Sequence, residues 1–157
     1  MTIYKKQALL ITLCTLGFTL FSLIFFFRFF QFYTIKGESM SPSLHNERTY
    51  LMERGPLQPN RGDIIIFNDK EAQIAYVKRV IALQGEQIQI KNGNVFINGE
   101  KLYEPYRATD EQIDFGPFQV PKNHVFVLGD NRSKSTDSRQ FGPISLQQIR
   151  GKIVGYE

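Results

Sequence analysis

The sequence has no tryptophan, a single cysteine and only two histidines, and those shortages remove several chemistries at once. One thiol, Cys14, supports neither a disulfide framework nor a thiolate metal site, and it falls inside an apolar run. His45 and His124 are isolated, without HExxH or similar spacing, and read as surface or turn residues, so neither a metal nor a cofactor is expected. With 19 basic and 15 acidic residues spread along the chain, the net charge of +4 is mild and no basic block marks a nucleic-acid surface. Internal repeats, heptads and low-complexity linkers are missing too. What remains, in 157 residues, is room for one domain of ordinary size plus an appendage.

The appendage is at the amino terminus. After Lys5 and Lys6, the run Ala8–Phe27 carries no charge and is rich in Leu, Ile and Phe. It matches the roughly 20 residues needed to cross a bilayer core. Arg28 follows, able to snorkel towards the headgroups, and Phe29, Phe30, Phe32 and Tyr33 suit the membrane interface. A cleaved secretory signal is the competing reading. The run exceeds a typical h-region and no small-x-small cleavage site follows between Arg28 and Lys36, which favours a retained anchor. Lys5 and Lys6 argue for a cytoplasmic amino terminus, whereas Arg28 and Lys36 flank the other side, so charge alone leaves the orientation open.

Beyond Thr34 the pattern is that of a β domain. Asp63–Phe67, led in by Arg61 and Gly62, reads as a buried strand, and Ile74–Leu83 as a second. Two β-prone runs, 88–91 and 94–97, flank Asn92-Gly93, the strongest short-range hairpin signal, and Asn98-Gly99 closes the second arm with another turn. Residues 103–120 hold Pro105, Gly116 and Pro117 among charges and read as a longer excursion. Val125–Leu128 is a further strand. Ser145 and Gln148 form a capping-box pattern for a short helix that Gly151 can end, with a last strand at Lys152–Tyr156.

Between anchor and domain lies Gly37-Glu38-Ser39-Met40-Ser41-Pro42-Ser43-Leu44. Pro42 cannot donate to a sheet ladder and biases Ser41 towards an extended conformation, so the stretch reads as an exposed, kinked loop. It is either an ordinary polar turn or the seat of a nucleophile. Serine needs a base for that role. No histidine has a suitable context, which leaves lysine. Lys78 shares a strand face with Ile74, Tyr76, Val80 and Ala82. If that face is the inner one, desolvation lowers the lysine pKa; if the opposite face is buried, Lys78 is solvated. A base working near neutral pH needs its pKa brought down from about 10.4 by roughly 3, about 4 kcal/mol of environmental bias.

Taken together, these segments resemble the bacterial type I signal peptidases, membrane-bound Ser–Lys endopeptidases. The stretch from Gly37 to Leu44 is similar to the family's nucleophile box, Arg61–Phe67 to its first core strand, Tyr76–Val80 to its lysine box, and Gly129–Arg139 to its last signature. Four boxes in order behind an anchor make the likeness specific, and it covers the chain from the anchor to nearly the last residue. The implied fold class is mainly β: a single N-terminal transmembrane helix, then a compact antiparallel β domain with one short C-terminal helix. The segments expected are 1–6 in the cytoplasm, 7–33 as the signal anchor and 34–157 as the extracytoplasmic catalytic domain, at the cell membrane. The compact length and single span resemble the smaller Gram-positive members.

Carried over by position, the resemblance implies that Ser39 is the nucleophile and that neutral Lys78 is the base. Ser135 matches the serine that hydrogen-bonds the lysine amine. Asp137 and Arg139 match a supporting ion pair, which Arg79 could join, and Met40 and Tyr76 match residues lining the pocket for the small side chain before the cut. The Ser39 N–H is the expected oxyanion donor. Where some members add a serine hydroxyl two positions earlier, this chain has Gly37, and Ser43 stands where threonine is usual. The implied partners are preprotein signal peptides, bound extended with small residues at the first and third positions before the cut (Ala-x-Ala), and the lipid bilayer. The oligomeric state is not implied. A rival reading is a non-catalytic or substrate-dedicated relative that helps assemble surface structures such as pili; an idle relative should lack Ser39 or Lys78, and both are present. The self-cleaving Ser–Lys repressors have a similar catalytic domain, but this chain carries a membrane anchor in place of DNA-binding helices.

Overall fold

Residues Thr2–Phe29 form one continuous helix, α1, in a computed structural model that describes residues 2–55, 58–69, 74–108 and 111–156. Met1 and Glu157, at the ends of the expected segments, and Thr109 and Asp110, within the expected excursion, lie outside these. The 27 residues Ile3–Phe29 rise about 40 Å at 1.5 Å per residue, more than the roughly 30 Å of a hydrocarbon core. Apart from Phe26, which stacks on Phe30, their Leu, Ile and Phe side chains stay exposed, so α1 is a candidate membrane span. At its end the chain turns directly into a strand, β1 (Phe30–Thr34).

Ten further strands follow: β2 (Thr49–Arg54), β3 (Ile64–Asp69), β4 (Ile74–Ala82), β5 (Gln87–Lys91), β6 (Asn94–Ile97), β7 (Glu100–Lys101), β8 (Phe115–Gln119), β9 (His124–Leu128), β10 (Ile144–Ser145) and β11 (Ile149–Val154). Of the eleven strands among the described residues, β1 included, seven form one antiparallel sheet in the order β1-β2-β11-β3-β4-β9-β10, and the other four a second in the order β7-β6-β5-β8. The protein is thus mainly β, as the sequence pattern suggested. Asn92 and Gly93 both take positive φ (48° and 73°), as do Asn98 and Gly99 (51° and 87°), the geometry that two-residue hairpin turns require.

The continuous apolar run of β3 follows from its position. Ile64 and Ile66 face a cluster with Met40, Leu44 and Met52, while Ile65 and Phe67 face another with Val80, Val125 and Val127. Both faces are covered, so no polar alternation remains. A third cluster, containing Ile81, Ile88, Val95 and Phe126, joins the two sheets.

Several elements differ from the sequence pattern. The excursion contains β8, an edge strand on β5, despite Gly116 and Pro117. An edge position tolerates the missing N–H, and a Cβ at Gly116 would lie 2.8 Å from the Ile88 carbonyl oxygen. The helix expected at Ser145 is a single 3₁₀ turn, Leu146–Gln148, carrying the expected capping box, and it ends at Ile149. The last strand therefore starts at Ile149 rather than Lys152, and Gly151 lies within it. A second short helix, α2 (Ser138–Phe141), is capped by Asp137 with Gln140 completing the box.

Gly151 lies where β11 runs between β2 and β3, and a Cβ there would meet the Glu53 carbonyl oxygen at 2.3 Å and Met52 Cγ at 2.8 Å. Because backbone cannot yield as a flexible side chain does, Gly151→Ala is expected to destabilise the domain by about 1–3 kcal/mol. Thermal unfolding in detergent should show this as a lowered Tm.

Candidate active site

The stretch from Gly37 to Leu44 is a run of turns pinned at two points rather than a free loop. Met40 and Leu44 are buried in the cluster that contains Ile64 and Ile66, and the Leu44 N–H donates to the Met40 carbonyl at 2.8 Å. Ser39, between Glu38 and buried Met40, is left half-buried with its hydroxyl inward. Its carbonyl accepts from the Asn131 N–H at 3.0 Å, which ties it to the loop after β9.

Lys78 meets it from β4. In register Lys78 stands opposite Ile65, so it shares the face of the Val80 cluster, and only 3% of the residue is exposed. Its amine nitrogen lies 2.7 Å from Ser39 Oγ, donates to the Val77 carbonyl at 3.0 Å, and stands 5.6 Å from the centre of the Tyr76 ring. Burial pushes the Lys78 pKa down to about 8, against the opposing pull of Asp137 and Asp130.

Those two carboxylates are buried but already matched. Asp130 takes two bonds from Arg79, at 2.8 Å and 2.6 Å. Asp137 takes Arg139 Nε at 2.8 Å and the Gly129 N–H at 3.0 Å. Each carboxylate thus has an arginine counter-charge of its own, which opposes its pull on the lysine proton. Arg79 therefore does not join the Asp137–Arg139 pair, as expected from position, but makes a pair of its own. It further donates to the Gly62 carbonyl at 2.8 Å and Ser43 Oγ at 3.1 Å, and its guanidinium lies 4.1 Å from the Tyr106 ring centre.

Ser135 is beside the pair but unbonded. Its Oγ is the one buried side-chain oxygen with no partner among the described residues, so the expected bond to the Lys78 amine is not made here. A Cβ on Gly129 would fall 2.2 Å from that Oγ and 2.6 Å from the Ser39 carbonyl oxygen. Only glycine lets the two serines come this close to the same point. The Gly37 N–H is taken by Asn46 Oδ1 at 2.8 Å, whereas the Ser39 N–H makes no hydrogen bond among the described residues.

Ser39 and Lys78 line a cleft of about 620 Å³ whose walls are the segment 33–40 and residues 74–78 of β4. Met40 and Tyr76 line it as expected, with Ile35, Ala75 and Val77 adding apolar surface. β4 pairs with β9 only from Arg79 onwards, so the edge of Ile74–Val77 away from β3 has no strand partner among the described residues.

Comparison with known proteins decides the family. The profile of the family described as "Signal peptidase, peptidase S26" matches residues 6–156. The chain belongs to this family. Signal peptidase I P of Bacillus subtilis subsp. natto is 40% identical over 136 residues, spanning 78% of this chain and 73% of that protein. Signal peptidase I S of Bacillus subtilis (strain 168) is 40% identical over 141 residues, spanning 79% and 76%. Among solved structures, a signal peptidase I from Enterococcus faecalis V583 aligns with a TM-score of 0.54 and 32% identity, covering 61% of this chain and 97% of that one. The protein is accordingly a serine peptidase, a hydrolase that cleaves signal peptides. None of these matches favours the assembly-factor alternative.

Parts of this signal peptidase's site escaped the sequence. Asp130 lies inside the Gly129–Arg139 signature, but its buried pairing with Arg79, 51 residues away, has no local code. Tyr106 lies in the excursion, with no local pattern to mark it. Neither was the contact between Glu38 and Lys134 foreseeable, because it joins residues far apart in the chain.

A desolvated lysine also leaves a mark on stability. The folded pKa of Lys78 lies below the unfolded value, so between about 8 and about 10.4 the unfolded chain binds more protons and stability rises with pH. Below that window the buried amine costs about 3 kcal/mol, and above it the cost is gone. Lys78→Met is expected to raise stability by about 2 kcal/mol near neutral pH, allowing for the lost hydrogen bonds, with the gain fading above pH 10. Denaturant unfolding at both pH values checks this.

Proposed function

We propose that Ser39 and Lys78 are the catalytic dyad of this signal peptidase, and that it cleaves preproteins after small residues of the Ala-x-Ala type. The observation that carries the reading is the 2.7 Å contact between a buried amine and a hydroxyl at the cleft wall. Neutral Lys78 takes the Ser39 proton as Oγ attacks the scissile carbonyl. The unused Ser39 N–H is positioned to meet the oxyanion, while Gly37 supplies no side chain and its N–H is engaged elsewhere. Lys78, now an ammonium, passes its proton to the leaving amine of the mature chain, leaving the signal peptide as an ester on Ser39. The same amine then deprotonates a water that attacks the ester, and returns the proton to Ser39 Oγ.

Ser135, with its free buried hydroxyl, is the group available to hold the Lys78 amine once Ser39 is acylated. Asp137 and Arg139 position the Ser135 loop: Arg139 bonds Asp137 and also the carbonyls of Arg132 and Ser135, at 2.8 Å and 3.3 Å. They do no chemistry. Substrate adds as a strand along the open edge of Ile74–Val77, and alternation sends the first and third side chains before the cut into the surface made by Met40, Tyr76 and their neighbours. That surface suits small apolar side chains. The anchor expected at 7–33 acts through α1 and ends at Phe29, because residues 30–33 belong to β1 and the domain; 1–6 lie in the cytoplasm and the β domain outside, where preproteins emerge.

The test uses detergent-solubilised enzyme and a preprotein whose signal ends in Ala-x-Ala, with products read by mass spectrometry. Wild type is expected to cut after the second alanine, and Ser39→Ala and Lys78→Met to lose ~10³-fold or more in kcat/KM. For wild type, kcat/KM should rise with pH and level off above about 8, because the base acts only when unprotonated. Full cleavage by either variant would refute the dyad.

A further inference from the structure

The cleft carries an ion pair that the proposed mechanism does not use. Glu38, next to the nucleophile, and Lys134, next to Ser135, both line it, and Lys134 Nζ donates to Glu38 Oε2 across the gap between their segments. Unlike Arg79–Asp130 or Arg139–Asp137, this pair is open to solvent, with 57% of the Glu38 and 61% of the Lys134 side chain exposed. The ammonium beside it holds the Glu38 carboxyl below the usual carboxylate range. Apart from Lys78, Lys36 is the other charged residue on the lining among the described residues.

In an extended substrate the first and third side chains before the cut point into the apolar wall. The second before the cut and the first after it then point the opposite way, towards the exposed rim. Glu38 and Lys134 are the exposed, paired charges of the cleft lining on that side.

We propose that the Glu38–Lys134 pair sets the charge selectivity of the cleft at these two positions. Paired, the two charges cancel, and the enzyme accepts substrates there with little regard to charge. Freed of its partner, each one selects for substrate residues of opposite sign. Lys36 stays constant throughout and gives a common background against which changes are read. The inference rests on the proposed peptidase reading and on the extended binding mode.

The experiment measures kcat/KM for matched Ala-x-Ala preproteins carrying Asp, Asn or Lys at the first position after the cut, and a second set varied at x. The enzymes are wild type, Glu38→Gln, Lys134→Gln and the exchanged double variant Glu38→Lys/Lys134→Glu, each normalised to its own rate on the Asn substrate. Relative to wild type, Glu38→Gln should shift preference towards Asp by roughly 2- to 5-fold, and Lys134→Gln towards Lys by a similar factor. The exchanged pair should return near the wild-type ratio, and all shifts should shrink in 0.5 M salt. Equal Asp-to-Lys ratios in all four enzymes, with the Asn substrate still cut, would overturn the charge assignment alone. Failure of wild type to cut the Asn substrate would instead bring down the peptidase reading and this inference with it.

Discussion

Removal of one lysine amine from water is the constraint on which the rest of the site depends. An exposed amine would be protonated at neutral pH and useless as a proton acceptor. Lys78 is kept from water by its place on β4, the Tyr76 ring beside it and the Ser39 segment over it, and its pKa falls to about 8. Burial outweighs the opposing pull of Asp130 and Asp137, which are also buried nearby. Arg79 and Arg139 answer that pull by saturating both carboxylates. Removing either arginine would unmask an anion beside the amine, so the two ion pairs act on the base as well as on the fold.

The same contacts bring together segments distant in sequence. Arg79, the residue after Lys78, reaches Ser43 on the Ser39 segment and Asp130 on the loop after β9. Asn131 holds the Ser39 carbonyl, and Gly129 leaves space for both Ser39 and Ser135. The excursion braces this from behind: Tyr106 stacks on Arg79, the Ala108 N–H donates to the Asp130 carbonyl at 3.0 Å, and Glu104 pairs with Arg132. Ser39, the proposed nucleophile, is thereby held through its carbonyl and the buried side chains beside it, with the solvent-exposed Glu38–Lys134 pair as the loose member at the rim.

Much of this was legible in the sequence where local rules decide. Asn92-Gly93 and Asn98-Gly99 marked turns because positive φ has few takers, and the apolar run Ile64–Phe67 marked a strand buried on both faces. The lysine and serine were legible as a pair through the resemblance of their surroundings to a known family. Periodicity could not choose the inner face of β4, since Lys78 and Arg79 point opposite ways and both are buried. β8 was hidden because Gly116 and Pro117 speak against a strand, and only its place at the sheet edge makes them tolerable. Gly151 looked like a helix stop, but its role is close approach of backbone to β2. Partner choice, such as Arg79 with Asp130 in place of Asp137, is set by three-dimensional distance and has no local code.

The central claim is that burial brings the Lys78 amine down to lose its proton near pH 8, and direct titration of that side chain tests it best. Wild-type enzyme labelled with ¹³C at lysine Cε, with the Lys78 signal assigned by its loss in Lys78→Met, would be followed by NMR across pH. The account predicts a midpoint near 8, well below the other lysines. A midpoint at 10 or above would mean that the amine is solvated or held by an unmatched carboxylate, and the account of the base would be wrong.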